Sequence, residues 1–147
     1  MYLALMSDTQ STSPGAPGLA LRLSTAVGAR LVCEGRVRPL SINDVIDISE
    51  ERLTIHQGCG RRPPAGVAVG ARRLELDHAT VTWGVRSGHC RVWRCGDSSF
   101  VEDMSSDNGT HVHRDDHWHH ITPGIPAVLK VGDELSVGRI RFSVVAA

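Results

Sequence analysis

Apolar and polar residues alternate at period two in several short runs of the chain. In Cys90-Arg91-Val92-Trp93-Arg94, and again in Arg139-Ile140-Arg141-Phe142-Ser143-Val144, neighbouring side chains swap character. That is the pattern of a half-buried antiparallel strand, whose residues point by turns to core and solvent. It predicts strands at Arg30–Glu34, Val45–Ser49, Arg52–His56, Gly66–Gly70, Arg73–Leu76, Thr80–Gly84, His89–Arg94, Ser99–Met104, Thr110–His113, Trp118–Thr122, Glu134–Val137 and Ile140–Val145. Gly, Pro, Asn and Asp residues punctuate the runs, and Cys59–Gly66 reads as a loop. Helical spacing is scarce. Ser41–Arg52 is its best candidate, and the β-branched Ile42, Val45, Ile46 and Ile48 disfavour it. The expected class is an all-β sandwich or barrel.

Composition agrees. Apolar residues make up 41% of the 147-residue chain but aromatics only 4%, so Val, Leu, Ile and Ala must build the core. The 15 Gly and 7 Pro suit many turns. Sixteen Lys+Arg against sixteen Asp+Glu leave no net charge, which argues against a nucleic-acid coat, since such proteins need a basic excess to displace counterions. No apolar run is long enough for a membrane helix, and the opening Met1–Met6 lacks the charged region of an export signal. Cys33, Cys59, Cys90 and Cys95 form no CxxC pair, so free thiols in a reducing cytoplasm are expected, with Cys90 opposing Cys95 across a hairpin only in an oxidising compartment. Residues 7–18 are small, polar and Pro/Gly-rich. The reading is a flexible tail over 1–28, in which Thr9 and Thr12 offer kinase sites, and one sandwich over 29–147.

Five histidines, His111, His113, His117, His119 and His120, crowd around Arg114-Asp115-Asp116. On a hairpin, His111 and His113 share one face of their strand and His117 and His119 one face of the next, so four imidazoles could converge on Zn, Ni or Cu. The competing readings are a solvated hairpin and a pH-sensitive patch. His89 beside Cys90 is not a catalytic dyad, because adjacent strand residues point to opposite faces. The chain has no HExxH, GxSxG or glycine-rich phosphate loop before a helix. A non-catalytic protein without a cofactor is expected.

The most specific segment is Ser106-Asp107-Asn108-Gly109-Thr110, followed later by Gly132-Asp133-Glu134-Leu135-Ser136-Val137-Gly138. Asn-Gly between β-like runs is first a turn signal. Together with His89 at the end of a Ser-x-x-His-like stretch, the pattern resembles the forkhead-associated (FHA) domain, a β-sandwich of about eleven strands that binds phosphothreonine peptides through loops at one end. The resemblance is tight over His89–Val145 and loose over Arg30–Gly88. It implies a protein-recognition module of signalling, cytoplasmic, whose partner carries the product of a Ser/Thr kinase, with no nucleic acid or membrane. By position it implies peptide binding by Arg72, Arg86, Ser87, Asp107 and Asn108, and loop structuring by His89, Ser106, Gly109 and Thr110. The family's Gly-Arg pair is sought at Gly70, where Ala71 is followed by Arg72 and Arg73. Arg86 stands where the family has Ser, and the acidic Asp107 stands where it often has a hydroxyl. Two functions follow: an arginine clamp on phosphate, with Arg86 replacing the hydroxyl, or a phosphate-independent adaptor on the same fold.

Overall fold

The computed structural model describes residues 18–25, 28–57, 72–76, 89–104, 106, 109–138 and 140–147. Thirteen strands run through them: β1 (Leu19–Leu23), β2 (Ala29–Cys33), β3 (Arg36–Leu40), β4 (Val45–Asp47), β5 (Leu53–Gln57), β6 (Arg73–Leu76), β7 (Cys90–Cys95), β8 (Ser98–Asp103), β9 (Thr110–Arg114), β10 (His117–His120), β11 (Ala127–Leu129), β12 (Glu134–Val137) and β13 (Ile140–Ala146). They form a six-stranded sheet of order β10-β9-β12-β13-β1-β4 and a seven-stranded sheet of order β11-β8-β7-β5-β6-β2-β3. Among the described residues, only β5 and β6 pair in parallel. The sheets make the β-sandwich that the alternation predicts, with thirteen strands where about eleven were expected.

Alternation supplies the core directly. On β13, Ile140, Phe142 and Val144 are buried, while Arg141 between them is exposed. Phe142 stands opposite Leu135 of β12 and Leu23 of β1. From the other sheet come Leu53 and Ile55, Leu74 and Leu76, Cys90 and Val92, and Val101. The outward side chains of β6 are nevertheless buried. Glu75 is wholly inaccessible and accepts hydrogen bonds from Arg30 Nε at 3.1 Å and Arg73 Nε at 3.0 Å. Two guanidinium partners offset the desolvation of its carboxylate.

Several expectations change. The tail assigned to 1–28 contains β1, which lies between β13 and β4 with Ala20, Leu21 and Leu23 fully buried. The sandwich therefore reaches at least to Leu19. The run Leu19-Ala20-Leu21-Arg22-Leu23 is short and follows a Pro/Gly-rich stretch, so its pattern has little length in which to register. Strand β3 was also not expected, because Arg36, Arg38 and Pro39 read as loop; it is an edge strand, where proline and charge are tolerated. The three-residue β11 is another edge. Cys90 and Cys95 stand on one strand, paired with Asp103 and Ser98, and their odd spacing turns one inward and the other out. They cannot oppose each other across a hairpin. The expected strands Gly66–Gly70 and Thr80–Gly84, and the tail threonines, lie outside the described residues.

Strand β7 fixes the two ends of the sandwich. At one end the His89 amide donates to the Ile55 carbonyl, and at the other the Arg94 amide donates to that of Ser49. Five residues of strand separate these ends by about 17 Å.

Candidate functional site

The β8–β9 connection is built around one carboxylate. Asp103 ends β8 and is almost fully buried. Its Oδ1 accepts from Ser106 Oγ at 2.5 Å and Thr110 Oγ1 at 2.7 Å, and its Oδ2 accepts from the Ser106 amide at 3.1 Å. An Asp that takes the amide three residues ahead makes a tight turn; with Thr110 held as well, both ends of the loop are tied to one side chain. The Asp103 carbonyl also accepts from the Gly124 amide. Each interaction of this kind to a charged acceptor contributes about 1.5–3 kcal/mol.

His89 closes the loop from the β7 side. Its ring is inaccessible to solvent, and Nε2 lies 3.0 Å from the Gly109 carbonyl. A carbonyl only accepts, so Nε2 carries the proton. Burial pushes the His89 pKa below its ordinary value, against the opposing pull of the Gly109 carbonyl and the Asp103 charge. The ring is therefore a neutral brace at pH 7. Gly109 itself has φ of 78°, a left-handed conformation that glycine adopts without the Cβ penalty. Cys90 is buried, and burial first, then the Asp103 charge, drive its thiol well above the usual range. That thiol is not a nucleophile.

The four loop-structuring residues expected from the sequence, His89, Ser106, Gly109 and Thr110, are thus brought together, and Asp103 is the hub the sequence reading passed over. Its signal was available: an Asp three residues before Ser106 and seven before Thr110 at the end of an alternating run. Arg86, Ser87, Asp107 and Asn108 lie outside the described residues.

Arg72 is placed elsewhere. Its NH2 group donates to the Asp47 carbonyl at 3.0 Å and to Ser49 Oγ at 3.1 Å, with Asp47 Oδ1 3.8 Å from NH1. Ser49 belongs to the Arg94 end of β7, so this guanidinium ties β4 to β6 at the end of the sandwich away from Gly109. Arg73 is buried against Glu75. The structure brings neither arginine to the loop. Another Gly-Arg pair stands in the sequence at Gly60-Arg61, three residues beyond Gln57 and followed by Arg62.

The histidines do not converge either. Asp115 and Asp116 both have positive φ, 54° and 63°, the pair of left-handed residues that makes a two-residue hairpin turn. That turn pairs Arg114 with His117, His113 with Trp118, Val112 with His119 and His111 with His120. His111 and His113 consequently share a face with Trp118 and His120, and His117 and His119 occupy the other. Among the described residues, no three His, Cys, Asp or Glu side chains are arranged to hold a metal ion.

Comparison with known proteins adds the family. The FHA-domain family model matches residues 59–138, more than half of the chain. Among solved structures, the chain is similar to the FHA domain of an Arabidopsis thaliana hypothetical protein, at 16% identity and a TM-score of 0.54, covering 92% of each chain. It is also similar to the FHA domain of the CT664 protein from Chlamydia trachomatis, at 14% identity and a TM-score of 0.50, covering 88% of this chain and 98% of that one. No curated protein sequence matches it. The matched stretch contains His89, the Asp103-centred loop and the Gly132-Asp133 turn, and the chain belongs to the FHA-domain family.

Proposed function

We propose that this FHA domain binds a phosphothreonine-bearing segment of a protein partner through the loops that carry Arg86, Ser87, Asp107 and Asn108. FHA domains are phosphothreonine-binding, non-catalytic interaction modules. The observation that carries the reading here is the intact scaffold of Asp103, Ser106, Thr110 and His89, which fixes both ends of the loop containing Asn108. In this scheme Arg86 and Ser87 hold phosphate oxygens, Asn108 orders the peptide backbone, and Arg61 or Arg62 supplies the second guanidinium in place of Arg72. A phosphate of charge about −1.5 to −2 meeting planar guanidinium forks is charge-assisted recognition. The partner is then a substrate of a Ser/Thr kinase. Free thiols at Cys33, Cys90 and Cys95 support action in a reducing, cytoplasmic setting.

A phosphate-independent adaptor is the second reading, favoured by the engagement of Arg72 with Asp47 and Ser49 and of Arg73 with Glu75. One titration separates the two. A degenerate phosphothreonine peptide library and its unphosphorylated counterpart are measured on wild type, Arg86→Ala, Asn108→Ala and the double variant Arg61→Ala/Arg62→Ala. The proposal expects phosphate-dependent binding that each variant weakens. Equal binding of both libraries supports the adaptor and removes the phosphothreonine function.

A further inference from the structure

The β9–β10 hairpin sets one histidine pair against the loop that carries Asn108. Its two-residue turn puts His111 directly opposite His120, and their rings meet edge-on with centroids 5.0 Å apart. Both rings press on Gly109. A Cβ added there would lie 2.9 Å from His120 Nε2 and 3.1 Å from His111 Cε1. Gly109 is thus held through its carbonyl by His89 and covered at its α-carbon by two imidazoles.

We propose that His111 and His120 are positioning residues for the recognition loop: uncharged, they hold Gly109 in place, and protonation of both rings releases it, so that phosphopeptide binding weakens in mildly acidic solution. The inference rests on the phosphothreonine reading above. Two imidazolium charges on opposed rings repel, and separation of the rings removes the wall behind Gly109. The groups facing the pair are few. Burial first, and then His120, hold the His111 pKa below its ordinary value, against the opposing charge of Asp103 at the end of β8. On β12, Ser136 stands opposite His111, with Arg141 of β13 opposite Ser136. Glu134 faces His113, two residues further along, and is paired with Arg141 at 3.7 Å. The remaining hairpin neighbours on this face are His113 and Trp118, whose ring centroids lie 4.8 Å apart, with Trp118 also covered by Arg141.

The test uses the full chain and a labelled phosphothreonine peptide, with anisotropy measured from about pH 7.5 to about pH 5.5. The peptide phosphate titrates in the same range, so wild type is compared with His120→Phe, which keeps a ring against Gly109 but gains no proton. His120→Gln serves as a second non-titrating variant. Over this interval wild type should lose roughly threefold more affinity than either variant. In peptide-free protein, the Gly109 amide resonance should move with the titration of His111. Parallel pH curves, or a selective gain of wild-type affinity on acidification, overturn the proposal, as does a Gly109 resonance that ignores His111. Absence of peptide binding at every pH removes the phosphothreonine reading instead, and the Gly109 resonance then decides whether the pair holds the loop.

Discussion

Replacing Asp103 by alanine tests the architecture of the loop most severely. The carboxylate is 1% exposed and accepts from the Ser106 amide, the Ser106 hydroxyl and the Thr110 hydroxyl. Its removal strands three donors. Bonds to a charged acceptor contribute about 1.5–3 kcal/mol each, but they share one side chain, are not additive, and their loss also relieves the desolvation of a buried charge. A net loss of about 3–5 kcal/mol follows. At about 2–4 °C per kcal/mol for a chain of this size, the midpoint of thermal unfolding should fall by roughly 6–20 °C. Asp103→Asn should sit between. Its oxygen can still take both hydroxyls at the Oδ1 position, leaving its NH2 group facing the Ser106 amide, donor against donor, at about 1–2 kcal/mol. Thermal unfolding followed by circular dichroism, together with urea titration, measures both variants. A loss below about 1 kcal/mol for Asp103→Ala refutes the claim that this carboxylate organises the loop.

Other predictions follow from single contacts. The lowered pKa of His89 means that the unfolded chain takes up this proton first as pH falls, so stability is highest above about pH 6.5 and declines below it; urea midpoints from pH 8 to pH 5 check the sign. The partly exposed His111 adds in the same direction. Gly109→Ala and Gly35→Ala both force alanine to a φ near 78°, at about 1–2 kcal/mol, but only Gly109 has His120 within 3 Å of the new methyl. Gly109→Ala should therefore be the more destabilising by about 1 kcal/mol or more in chemical denaturation. Arg72→Ala should lower stability while leaving any phosphothreonine affinity unchanged, because its guanidinium engages Asp47 and Ser49; calorimetric titration reads the affinity.

How legible each part was depends on how locally it is encoded. Arg73–Leu76 and Glu134–Val137 match the observed strands residue for residue, since alternation and flanking turn residues are local signals. β1 and β3 were lost for opposite reasons. One is too short a run to stand out after a Pro/Gly-rich stretch, and the other is an exposed edge whose charges and proline imitate a loop. The histidine hairpin shows the limit of counting faces strand by strand. Period two correctly paired His111 with His113 and His117 with His119, but only the Asp115-Asp116 turn fixes the register that sets those pairs on opposite faces. The loop motif named Ser106, Gly109 and Thr110, yet not Asp103, because a buried acceptor is recognised by its donors, which arrive from different points of the chain. Arg72 lies away from the Gly109 loop because β6 runs parallel to β5, which sets its first residues beside Thr54 at the far end of the sandwich, a pairing between distant segments that no local pattern announces.

The most direct test of the central claim is a titration of isotope-labelled protein with one peptide in phosphorylated and unphosphorylated forms, followed at the amides of Gly109 and Thr110. These two residues flank Asn108 on the side fixed by His89 and Asp103. Phosphorylated peptide should shift both resonances saturably, and its unphosphorylated twin should leave them in place. Identical shifts from both peptides, or no shift of either resonance at saturating phosphorylated peptide, would contradict it.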